Sequence, residues 1–238
     1  MIALLVALAL GQSPCANNAA VMASAQERAA LFDLRGAMTG LAAGRSSCVE
    51  TSVAYWYLHG LIAAREAYRF GGSPESLEPV RVAVAELAAR SQDTPAAEIA
   101  RVVLLAASSA AQSERDEMGL FLEHALNLER QQRSAGLMGA PIVTAHEVAG
   151  DLWLQVHRFD DARRAYLEAA SLTGATRRVT LGLARTAARL GDSQTSCEQY
   201  RNVVSSWPQR GGEPPELIEA RTFLKRQDCR AQGSRSPR

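Results

Sequence analysis

Apolar residues recur at three- and four-residue spacing along nearly the whole chain, and the glycines and prolines fall between these stretches. That pattern predicts amphipathic helices over 24–43, 49–70, 75–90, 96–111 and 113–130. After an interruption, QQRSAGLMGAP at 131–141, it predicts four more over 143–157, 159–172, 177–190 and 193–206. A last helix opens at Glu213-Pro214-Pro215 and runs through about Gln227. Gly44 and Gly71-Gly72 serve as stops. Ser73-Pro74-Glu75 and Asp93-Thr94-Pro95 serve as starts, with proline in the first turn. The connections are short, as between antiparallel neighbours, and no stretch alternates as a strand does. The fold class expected is therefore all-α.

Composition sharpens this. Alanine, the strongest helix former, occurs 43 times in 238 residues, and aromatics make up only 5%. Hydrophobic residues at 47% and charged residues at 21% exclude a wholly disordered chain. The 26 basic and 25 acidic side chains leave a net charge of +1, which lacks the basic surplus of a nucleic-acid footprint.

At the amino terminus MIALLVALAL is apolar and uncharged, about half the length of a membrane span. No transmembrane span is expected. The run matches the apolar region of a secretory signal, with Ala9 and Gly11 as small residues for cleavage but no basic segment before it. Residues 1–14 are thus read as a leader and the chain as exported or periplasmic; without a leader it would be cytoplasmic. Gln12-Ser13-Pro14 ahead of Cys15 is not a lipobox. In an exported chain Cys197 and Cys229 are expected to form a disulfide, because the last helix runs back towards the start of the helix carrying Cys197. No matching pairing is assigned to Cys15 and Cys48, because a single helix over 24–43, about 30 Å long, would separate its ends.

Chemistry-bearing motifs are sparse. His146-Glu147 starts a metalloprotease signature but is followed by Ala149-Gly150 instead of a second histidine. His146 and His157 share a helical face about 16 Å apart, too far for one metal, and read as ordinary, partly exposed helix histidines. No glycine-rich loop carries a lysine, and Asp160-Asp161 reads as favourable charge at a helix start. No metal, cofactor or catalytic residue is assigned, and the chain is read as not an enzyme.

Setting 143–176 over 177–210 aligns Ala149 with Leu183, Gly150 with Ala184, Ala162 with Ser196, Tyr166 with Tyr200, Ala169 with Val203 and Gly174 with Pro208. Each pair is 34 residues apart, and FDDARRAYLEAASL carries the small-residue and aromatic spacing of a second repeat helix. This segment resembles the tetratricopeptide repeat family. His146 and Thr180 stand where that family usually has tryptophan, and Ser196 replaces its most characteristic alanine. A fainter helix pair covers 96–132, and degenerate repeats cover 18–95, where WYLHG at 56–60 resembles a repeat start. A capping helix over 213–228 and a disordered tail over 230–238 complete the division.

The resemblance implies a right-handed α-solenoid of antiparallel helix pairs acting as a non-catalytic protein–protein interaction scaffold. The alternative is a structural or assembly component of a cell-envelope complex, with an enzyme of unrecognised type as a remote third. The resemblance places Thr144, Glu147, Asp151, Leu154 and Gln155, then Arg178, Leu181, Arg185, Ala188 and Arg189, on a concave partner-binding face. Arg178, Arg185 and Arg189 share one helix face, with Asp151 expected opposite Arg185. Three arginines against Glu147 and Asp151 suit a protein or peptide partner with an acidic segment.

Overall fold

A computed structural model of the chain describes residues 15, 18–43, 48–92, 94–137, 139–208, 213–226 and 229. The leader expected over 1–14, the tail expected over 230–238, and the signals at Gly44 and Asp93 lie outside the described residues. All regular structure among the described residues is helical. The elements are α1 (Asn18–Ala30), α2 (Leu34–Leu41), α3 (Val49–Arg69), α4 (Glu78–Ala88), α5 (Pro95–Ala111) and α6 (Arg115–Ser134). They continue with α7 (Ala145–Gln155), α8 (Phe159–Thr173), α9 (Arg177–Arg189), α10 (Ser193–Ser205) and α11 (Pro215–Arg226).

Local chemistry sets the helix starts. Pro95 opens α5, and Pro79 sits in the first turn of α4, where a missing N–H costs little. Thr144 and Glu147 form a reciprocal capping box on α7, while Thr176 and Asp192 accept from the amides of Val179 and Thr195 to cap α9 and α10.

A single turn type closes the first helix of every pair. Gly71, Ser113, His157 and Gly191 all have φ between 65° and 77°, and each is followed by a residue whose N–H returns to the carbonyl five positions back. These are Schellman ends. Phe32, with φ 65°, makes the same turn between α1 and α2, where the N–H of Asp33 donates to the Arg28 carbonyl and the Asp33 carboxylate caps Gly36. The single helix expected over 24–43 is therefore two, folded into a hairpin. That correction brings Cys48 back to Cys15, and the two are bonded with their Cα atoms 5.5 Å apart. The loop expected from 131 is also shorter, since α6 continues to Ser134.

Consecutive helices pack throughout, and α3, α5, α7 and α9 form a layer in which each touches the next. Helices α4, α6, α8 and α10 pack between and behind them. Close approach depends on small residues. A Cβ on Gly150 would lie 2.5 Å from the Tyr166 ring, and one on Gly182 2.2 Å from it, so this buried ring fills the junction of α7, α8 and α9. The main core runs from α1 to α8 around Tyr57, Leu58, Leu104 and Leu122, and a second cluster around Leu181, Trp207 and Leu217 joins α9, α10 and α11.

Candidate functional site

On the open side of the odd-numbered layer lies a cavity of about 170 Å³. Its apolar wall includes Phe32, Leu61 and Val148, and its polar wall is made by Asp151, Gln155, Arg178 and Arg185. The 34-residue spacing puts Asp151 and Arg185 at equivalent positions of α7 and α9, which pack together, so both charges come to one surface.

The expected pairing of Asp151 with Arg185 is not the one formed. Asp151 accepts from Arg178 Nη2 at 2.8 Å and from the Tyr166 hydroxyl at 2.6 Å. Arg185 instead makes a two-pronged bond to Glu219 of α11, at 2.9 and 2.5 Å, and the Tyr200 hydroxyl donates to the same carboxylate. Helix α11 is the reason. Read as an apolar cap, it also delivers a carboxylate that its sequence position gave no cause to place in the groove. Burial works against the charge of Arg178, but Asp151 and Glu147 outweigh it and hold its pKa above the ordinary guanidinium value. Burial likewise pushes the Glu219 carboxyl up, and the bond and charge of Arg185 bring it below the usual value.

Other residues assigned to this face divide by burial. Leu181 is fully buried in the core of the last helices and leaves the face. Thr144 and Glu147 are used internally: they form the α7 cap, and Glu147 also accepts from the Thr176 hydroxyl at 2.7 Å. Leu154 and Gln155 line the cavity, and Arg189 stays exposed beside it, next to the half-buried Ala188. Arg65 of α3, unassigned from the sequence, is an exposed cation on the same wall. It was missed because the repeats read over 18–95 are too degenerate to give each position of α3 a place in the register.

A buried polar clamp stands behind the groove. The Glu129 carboxylate accepts from the backbone N–H groups of Ala140 and His146, at 3.1 and 3.2 Å, and lies 2.7 Å from His146 Nδ1. Neither side chain is exposed, so His146 is not the partly exposed helix histidine expected. Burial raises the Glu129 carboxyl, but the hydrogen bond and charge of His146 bring it below its ordinary value of 4.5. The clamp ties the loop after α6 to the start of α7 and so fixes where Asp151 stands.

The hairpin tip closes one end of the groove. Phe32 stacks on Trp207, with ring centroids 6.1 Å apart and planes 11° from parallel, and the Arg178 guanidinium lies over the Phe32 ring, 5.3 Å from its centroid. At the far end Cys197 is bonded to Cys229, with Cα atoms 5.7 Å apart.

Among the described residues no three His, Cys, Asp or Glu side chains come together as a metal-holding group, and no helix is long and apolar enough to cross a membrane. Compared with known family models, curated proteins and solved structures, the chain matches none.

Proposed function

We propose that the chain is a non-catalytic interaction scaffold of the tetratricopeptide type, a right-handed solenoid that receives a peptide or partner domain on the face of its odd-numbered helices. The observation that carries this reading is the cavity itself. It joins α3, α7 and α9, and it combines an apolar wall with charges held in place by hydrogen bonds. Groups fixed in this way lose little freedom when a partner arrives. Arg178 and Arg185 each have a carboxylate already, so preference for an acidic segment rests on the exposed Arg65 and Arg189. Two bonds that pair all four cysteines favour an oxidising compartment, in keeping with export.

The test is recovery of partners from the native compartment with identification by mass spectrometry, followed by affinity measurement on Arg65→Glu with Arg189→Glu. Binding about tenfold weaker with unchanged helix content is expected. Unchanged affinity would remove this face from consideration.

A further inference from the structure

The left-handed position that ends the first helix of a pair is glycine at Gly71 and Gly191, the residue that adopts it without strain, and a polar residue at Ser113 and His157. Between α1 and α2 the same position is Phe32, whose Cβ makes that conformation unfavourable. Nothing in the turn requires an aromatic ring, because its cap is supplied by Asp33 and its hydrogen bonds by the backbone. The ring finds its compensation elsewhere, 175 positions along the chain, against Trp207 and beneath Arg178. There it remains only half-buried, whereas Trp207 is almost fully covered.

The remainder of the hairpin is held independently of this contact. Cys15–Cys48 closes its base, Asn18 bonds Glu50 and Thr51 of α3, and Arg35 pairs with Glu66 of α3. The tip can therefore leave its seat while the hairpin stays on the molecule. The vacated seat would be an apolar floor at Trp207 with a guanidinium at its side, opening directly onto the cavity that Phe32 lines.

We propose, resting on the scaffold reading above, that the Trp207–Arg178 seat is an anchor subsite for an aromatic side chain of a partner peptide, and that Phe32 is its resident occupant, displaced on binding. The resident defines the chemistry: a flat ring that stacks on indole and accepts a cation over its face. An aliphatic anchor would satisfy the floor but not the guanidinium.

The test pans a phage-displayed library of random dodecamers on the full-length oxidised protein and on Phe32→Ala, after circular dichroism has shown equal helix content. Enriched peptides are expected to require one aromatic residue, to bind Phe32→Ala about tenfold more tightly than the unsubstituted protein, and to lose that gain when Trp207→Ala is added. If Phe32→Ala loses its fold, Phe32→Leu replaces it, with the same ranking expected at smaller amplitude. Peptides without an aromatic requirement, or with equal affinity for both proteins, overturn the proposal. Where such peptides still lose binding on Arg65→Glu with Arg189→Glu, the scaffold reading survives and only the resident anchor fails. A library that yields no binder to either protein overturns both.

Discussion

Tyr166 occupies a junction with no room to spare, which gives the glycines around it opposite fates on substitution. An alanine at a helical glycine ordinarily gains about 1 kcal/mol. At Gly182 the added Cβ would meet the Tyr166 ring at 2.2 Å, and the ring is enclosed by three helices. Gly182→Ala is therefore expected to lower unfolding free energy by about 1–2 kcal/mol in a denaturant titration, whereas Gly40→Ala, with nothing within 4 Å, should raise it by about 0.5 kcal/mol. A second prediction follows from Glu129. Its carboxyl titrates below its ordinary 4.5 when folded, so its stabilising contribution is complete above that value and is lost as pH falls through the lower, folded one. The stability of the unsubstituted protein should then fall more steeply than that of Glu129→Gln as pH drops below about 4.5, as thermal melts across the acid range would measure. Of these residues Gly150 and Tyr166 were legible, because small and aromatic positions recur at 34. Glu129 and Gly182 were not. The Glu129–His146 pair spans 17 positions across a loop, outside the reach of any helical period, and Gly182 pairs in the register with Val148, which is no small residue.

Most helix ends were legible from the pattern, even at Ser113 and His157 where no glycine marks the stop, but the turn that divides the helix expected over 24–43 was not. The turns at Gly71, Gly174 and Gly191 announce themselves, and helices α3, α8, α9 and α10 lie within a residue or two of their expected ranges. The turn at Phe32 does not, since an aromatic residue in the left-handed region is an uncommon choice that periodicity reads as one more core position. Missing that turn hid both the hairpin and its disulfide. The bond joins residues 33 apart in sequence, and its removal frees a loop of that length in the unfolded state. Cys15→Ser with Cys48→Ser is expected to lower stability by about 2–4 kcal/mol, measured by denaturant unfolding under oxidising conditions. Because α9–α11 keep their own bond between Cys197 and Cys229, the loss should appear first as faster proteolysis within α1 and α2.

A stack of helix pairs in which each pair meets only its neighbours behaves almost as a one-dimensional array, and its two ends are energetically independent. Among its described residues this molecule departs from that rule where the Tyr68 hydroxyl of α3 donates to the Gln155 carbonyl of α7, and most widely at the hairpin tip. The α1–α2 hairpin packs on α3, yet its tip reaches Trp207 and Arg178, so the first helix pair touches the last. The groove is thereby closed at one end by a side chain of the first hairpin, and the stability of the carboxy-terminal helices includes a contribution from residue 32. Losing one stacked aromatic contact with its cation corresponds to roughly a tenfold change in an opening equilibrium. Phe32→Ala is therefore expected to speed amide exchange about tenfold in α9, α10 and α11 while leaving α5 and α6 unchanged, as hydrogen–deuterium exchange read by mass spectrometry would resolve. Faster exchange confined to α1, α2 and α3 would mean that the ring rests on Trp207 without coupling the two ends. The intervening helices make that comparison decisive, because a general loss of stability would raise exchange in α5 and α6 as well.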